Sequence, residues 1–268
     1  MTRTRRRKRV VAGSALAVMA AVAITMLTVH SEAGGAPQEA QSLASAESLE
    51  SVVVATVNGE PVSLLEFRSV MLSERAKVVA YFQGVHGAED SPDFWETAYD
   101  EEIPLERLKE ATLRKLLVIK VGQIAARRQG LLQDLRYTSF LVELKQENER
   151  RRKELDRGRP IYGPRQYEEN VYYELRQKQL LDDLKQAMKE RLGATEQELQ
   201  AYYATNKRDF LKDDGISYYS LDEVKEGIAG RMLDIRFGQF MQEQVDRAEL
   251  VVYEQAAKSI RDLILRGR

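Results

Sequence analysis

Eight tyrosines, Tyr162, Tyr167, Tyr172, Tyr173, Tyr202, Tyr203, Tyr218 and Tyr219, crowd the second half of a chain of 268 residues. The same chain has no cysteine and two histidines, His30 and His86. Tyrosine joins a large apolar ring to a polar tip, a combination suited to gripping extended peptides of varied sequence. Six of these residues are candidates for that contact: Tyr162, Tyr167, Tyr172, Tyr173, Tyr202 and Tyr203. For any single tyrosine, burial between amphipathic helices is the plainer expectation. The adjacent pairs Tyr172/Tyr173 and Tyr202/Tyr203 favour exposure, because sequence neighbours cannot all point into one core.

Other chemistries fare less well. The absence of cysteine excludes disulfides, thiolate metal sites and cysteine nucleophiles. Two histidines are too few for a histidine-rich metal centre. Asp209, Asp213 and Asp214 before Gly215 faintly resemble a calcium loop, but the alternating acids and the closing glutamate are missing. Asp100, Glu101 and Glu102 precede Pro104 and are expected to favour the positive end of a helix rather than to work as paired carboxylates. Arg150, Arg151, Arg152 and Lys153 are flanked by Glu147, Glu149 and Glu154, the pattern of a salt-bridged solvent face. No phosphate loop, dinucleotide glycine pattern or zinc-hydrolase motif is present. No catalytic residue, cofactor or metal is predicted.

Charge is nearly balanced, with 41 basic against 42 acidic side chains, but it is unevenly distributed. Residues 1–33 hold six basic side chains and one acidic one, so the remainder carries a net charge of −6. An acidic folded part argues against nucleic acid as its partner. The basic start leads into an uncharged apolar run of twenty residues, 10–29, about 30 Å long as a helix. That length predicts an uncleaved membrane anchor with residues 34–268 outside the cytoplasm. Ser31 and Ala33 would suit a cleavage site, so secretion after cleavage near Ala33 is the alternative. Residues 34–50 are rich in Ala, Ser, Gly, Gln and Glu and are expected to form a flexible linker.

The elements that would position the tyrosines lie in residues 51–268, predicted to form one mainly α-helical domain. Val52–Val57 is β-branched and suits a strand, and Asn58-Gly59 is a tight-turn pair. Pro61 belongs at a sheet edge. Three S/T-x-x-E patterns, at Ser63, Thr195 and Ser220, mark helix starts. Leu64, Phe67, Val70, Met71 and Val78 form the apolar side of the first helix. Pro104 and Gly130 bound the next, and a charged helix is expected over Leu132–Asp156. A further helix is expected from Pro164 to Gly193, and a short one from about Gln255 to Leu265. A second strand falls in Glu249–Tyr253. Two strands at opposite ends of a helical domain have only each other as partners. Val52–Val57 is therefore predicted to pair with Leu250–Tyr253.

In this order, "VVATVNGEPVSLLEF", "ATEQELQAYYATNKRDF", "SLDEVKEGIAGRML" and "AELVVY" resemble the SurA/PrsA-type exported foldases, over residues 52–82 and 164–254. The resemblance implies the helical N-terminal chaperone domain of that family. It also locates a departure. The family carries a parvulin-type prolyl isomerase, a domain of about 100 residues, between the stretches that match Arg208–Phe210 and Ser220–Val224. Here nine residues, "LKDDGISYY", fill that interval. The resemblance thus implies a non-catalytic chaperone that binds unfolded exported polypeptides. The alternatives are an active prolyl isomerase and a cell-surface scaffold protein.

Overall fold

The computed structural model describes residues 46–89 and 91–266. The predicted apolar helix over 10–29 and most of the linker lie outside the described residues. Among the described residues, no helix is long and apolar enough to cross a membrane. The chain is mainly helical with a small antiparallel sheet. The described residues divide into two compact units, one made of those within 46–113 together with 249–266, the other of Arg114–Ala248.

Unit 1 opens with a helical segment over 46–51 (α1), in what the composition marks as linker. β1 (Val53–Val57) follows, then β2 (Glu60–Ser63) and α2 (Leu64–His86). The sheet has three strands in the order β2-β1-β3, not two, with β3 at Leu250–Val252. The predicted clasp is present: Ala55, Thr56 and Val57 face Val252, Val251 and Leu250. The added strand follows from the turn. Asn58 and Gly59 both adopt positive φ, 50° and 81°, the pairing that folds a two-residue hairpin back on itself. β2 is thereby returned along β1, with exposed Pro61 on its outer edge.

Ser63 caps α2, its Oγ accepting from the Glu66 backbone N–H at 3.2 Å. Phe67, Val70, Met71, Val78 and Phe82 line the buried side of α2. A loop over 87–103 buries Phe94 and Trp95 and leads to α3 (Pro104–Arg128), within which the two units divide. After β3 comes α9 (Ala257–Arg266), whose Ile260 and Ile264 are fully buried. The Arg75 guanidinium donates to the Ile264 carbonyl at 2.9 Å, satisfying one of the otherwise open carbonyls at the end of α9.

Unit 2 contains α4 (Tyr137–Asp156), α5 (Glu169–Ala187), α6 (Lys189–Leu192), α7 (Glu196–Thr205) and α8 (Leu221–Arg247). Two helix starts differ from expectation. α4 begins at Tyr137 rather than Leu132, because the Asp134 carboxylate accepts from the Arg136 backbone N–H and the Ser139 hydroxyl and so fixes a turn there. α5 begins at Glu169 rather than Pro164, because residues 162–167 are bonded to side chains of α4. Thr195 and Ser220 form complete capping boxes with Glu198 and Glu223. The core gathers Leu184 and Met188 with Ala125, packed by Leu181, Leu192, Phe237, Phe240 and Met241.

Candidate functional site

The six candidate tyrosines do not converge. Tyr172 and Tyr173 are both buried, contrary to the exposure expected of an adjacent pair. Tyr173 packs edge-on against Tyr137 and Phe140, while Tyr172 stacks on Phe140 and leans on Tyr167. Both rings are enclosed because α4 covers them together while Tyr167, from the loop before α5, closes over Tyr172 and Gln123 of α3 reaches the Tyr173 hydroxyl. Burial pushes the Tyr172 hydroxyl up to about 12, helped by the neighbouring Glu143 carboxylate. Tyr167 is half-buried beneath the Arg151 guanidinium, 4.2 Å from its ring centre. Tyr162 stands apart and is 95 % exposed.

Tyr202 and Tyr203 lie on α7 and support something the sequence did not single out. The nine residues 211–219 form a small hairpin closed by one antiparallel bridge. A 3-10 turn over Lys207–Phe210 leads in, Leu211 bridges to Tyr218, and the Tyr219 N–H donates to the Phe210 carbonyl at 2.9 Å. Lys212 N–H donates to the Ser217 carbonyl at 2.8 Å. The tip turns at Gly215, whose φ of 69° a side chain would resist. Asp214 locks that tip, accepting from the backbone N–H groups of Ile216 and Ser217 at 2.9 Å each and from the Ser217 hydroxyl.

Tyr203 is the foundation of this hairpin. Its ring stacks on Phe210 at 5.3 Å and its hydroxyl donates to the Tyr219 carbonyl at 2.6 Å. Tyr202 accepts from the Arg231 guanidinium of α8. Above them the hairpin exposes Leu211, Ile216, Tyr218 and Tyr219, with Ile216 84 % exposed. Lys207 and Lys212 lie over the rings of Tyr218 and Tyr219, 5.3 and 4.9 Å from their centres. The arrangement is a rigid frame holding apolar and aromatic side chains in water. It can bind by apolar contact. The sequence signal was present in "ISYY", an apolar and aromatic cluster just after a Gly turn.

The Asp214 carboxyl is held at about 2, chiefly by the Ser217 hydroxyl and then by the two backbone N–H groups. A carboxyl pKa depressed in the fold stabilises above its unfolded value, about 3.9. That contribution is lost as pH falls from about 4 through about 2. Amide exchange will show it: the Ile216 and Ser217 N–H groups stay protected at pH 5 and lose protection near pH 2. In Asp214→Ala they are unprotected at both.

A second polar cluster lies in unit 1. Glu102 accepts from the Tyr81 hydroxyl at 2.8 Å and from Arg107 at 2.7 Å. The two ring nitrogens of His86 lie 3.4 Å from Glu102 and 3.2 Å from Asp100. The Tyr81 hydroxyl, then His86 and Arg107, hold the Glu102 carboxyl below the usual carboxylate range. Asp100 and Glu102 thus engage side chains instead of the start of α3. Each group is occupied by another, and the cluster fastens the 87–103 loop to the end of α2. Among the described residues, no group of three His, Cys, Asp or Glu side chains is placed to hold a metal ion. No family model, no curated protein and no solved structure matches this chain.

Proposed function

We propose that this chain is an extracytoplasmic chaperone that holds unfolded exported polypeptides without catalysis, and that the hairpin over 210–219 is part of its client surface. One observation carries the reading: Leu211, Ile216, Tyr218 and Tyr219 are exposed on a frame locked by Asp214 and Tyr203. Large apolar groups held in water on a rigid base support binding to exposed apolar segments of other chains. The resemblance to the SurA/PrsA-type foldases supports the same reading. The hairpin occupies the interval where that family carries its isomerase, which supports binding without isomerisation.

Residues 34–268 at several-fold excess will suppress aggregation of a chemically unfolded client. Burying an Ile or Leu side chain is worth about 1.5–3 kcal/mol. Leu211→Ser with Ile216→Ser will therefore raise the concentration needed by roughly tenfold or more. Proline-limited refolding will not be accelerated by catalytic amounts of the protein. Absence of suppression by the parent sequence defeats the chaperone reading, and accelerated refolding restores the isomerase.

A further inference from the structure

The hairpin over 210–219 presents main-chain groups as well as apolar side chains. The Tyr219 N–H donates to the Phe210 carbonyl and the Lys212 N–H to the Ser217 carbonyl, one on each side of the Leu211–Tyr218 bridge. Those two bonds make Leu211 and Tyr218 a non-hydrogen-bonded pair. In such a pair the two side chains share one face, while the N–H and C=O of each residue point outward from its own strand. On the first strand the Leu211 N–H is taken by the Arg208 carbonyl at 3.3 Å. On the second, the Tyr218 N–H and C=O have no hydrogen-bond partner among the described residues.

The neighbours hold this edge in place. Asp214 accepts from the Ile216 and Ser217 N–H groups just before it, and the Tyr203 hydroxyl donates to the Tyr219 carbonyl just after it. Tyr218 is thus one open pairing station next to fixed backbone, with exposed Leu211 and Ile216 nearby. An open donor and acceptor on one strand edge are satisfied together by a single residue of an extended, antiparallel chain. A helix cannot do this, because its amides are bonded within it. Charge selects nothing here: Lys207, Arg208 and Lys212 are balanced by Asp209, Asp213 and Asp214.

We propose that the hairpin takes its client as an added β-strand, paired through the main chain at Tyr218 and laid alongside the Tyr218 and Ile216 side chains. This rests on the client surface described under the proposed function and names what that surface selects: apolar segments in extended conformation, whatever their charge. Main-chain bonds are common to all sequences, so they add affinity without narrowing the range of clients. A pre-formed edge also loses less freedom on binding than a mobile one.

The probe is a labelled peptide of alternating valine and threonine with a lysine at each end. The protein is the full chain in phosphatidylcholine nanodiscs, with empty nanodiscs as the blank. With saturating peptide the Tyr218 amide will exchange its hydrogen about tenfold more slowly than without. Tyr218→Pro removes that donor but no bond within the hairpin, whereas Tyr218→Val removes the ring and keeps the donor. Anisotropy of the label will show proline weakening binding about tenfold beyond valine, with the Lys212 and Tyr219 amides still protected. The same peptide N-methylated at every residue keeps its side chains and loses its donors. It will bind the parent chain about tenfold more weakly, a comparison that needs no variant. Binding without slowed Tyr218 exchange, or equal binding of the methylated peptide, overturns the added strand and leaves the chaperone reading intact. Tyr218 protection that rises with protein concentration in the peptide-free chain also overturns it and assigns the edge to a second copy. Absence of peptide binding overturns it as well, and suppression of client aggregation by the same sample then decides the chaperone reading separately.

Discussion

A chain cut after Ala248 will show the red emission of a solvent-exposed Trp95. The cut removes β3 and α9, both of which belong to unit 1. β1 loses its pairing with Leu250–Val252 and the bonds that frame it: Asn58 N–H to the Glu249 carbonyl, Glu249 N–H to the Asn58 side chain, and Tyr253 N–H to the Val54 carbonyl. Val54, Ala55 and Val57, fully buried in the intact chain, are left with one side of their sheet open. Ile260 and Ile264 contribute about 1.5–3 kcal/mol each, so about 3–6 kcal/mol leaves with α9. A domain's whole stability is about 5–15 kcal/mol. Unit 1 therefore does not survive the loss. Trp95, packed under the Arg75 guanidinium at 4.2 Å, reports that unit directly. Native emission from the shortened chain would show that the clasp is dispensable.

Arg151→Ala will destabilise unit 2 by about 3 kcal/mol. The side chain satisfies two carbonyls, a tyrosine hydroxyl and a carboxylate at once, and its removal opens a cavity beneath the loop while Glu147 keeps its two bonds from Arg150. The estimate sits at the low end for a broken buried pair because water can reach the loop carbonyls. Arg151→Lys will recover less than half, since an ammonium is a point charge and cannot reproduce the planar fork. With a urea dependence of about 1–3 kcal/mol per molar, the midpoint by circular dichroism falls roughly 1–3 M. Trp95 emission, which belongs to unit 1, tracks a separate transition and marks the loss as local. A change within about 0.5 kcal/mol would place Arg151 among ordinary surface residues.

Local chemistry was legible in the sequence wherever one residue determines one geometry. Thr195 with Glu198 and Ser220 with Glu223 predict capping boxes, and both are complete. Pro104 opens its helix, and the apolar stripe of Leu64, Phe67, Val70, Met71 and Val78 is buried. The clasp followed from counting strands that needed partners. What escaped depends on distant side chains. Asn58-Gly59 announced a turn, yet β2 is short and contains proline, so its strand character comes from β1 beside it. The late starts of α4 and α5 depend on Asp134, Asn148 and Arg151, whose roles no periodicity reveals. Burial of both Tyr172 and Tyr173 needs cover from two elements. In the sequence the hairpin shows only as a nine-residue interval, too short for a domain. Its length said what it lacked, while its folded form depends on Tyr203, seven residues before Phe210.

Unit 1 is assembled from two stretches of chain with all of unit 2 between them, and this sets a clock. Asn58 and Glu249 are bonded across 191 positions. Closing a loop of that length costs about 2–3 kcal/mol more in chain entropy than closing one of ten residues. During synthesis β1 and β2 are made early, but the third strand arrives only after α8 is complete. Unit 2 is continuous and can fold meanwhile. Until residue 253 is available, β1 keeps one edge unsatisfied, which is a template for pairing with any neighbouring strand. The nascent protein thus passes through a period in which it is itself a chain in need of protection, and the arrival of β3 ends it.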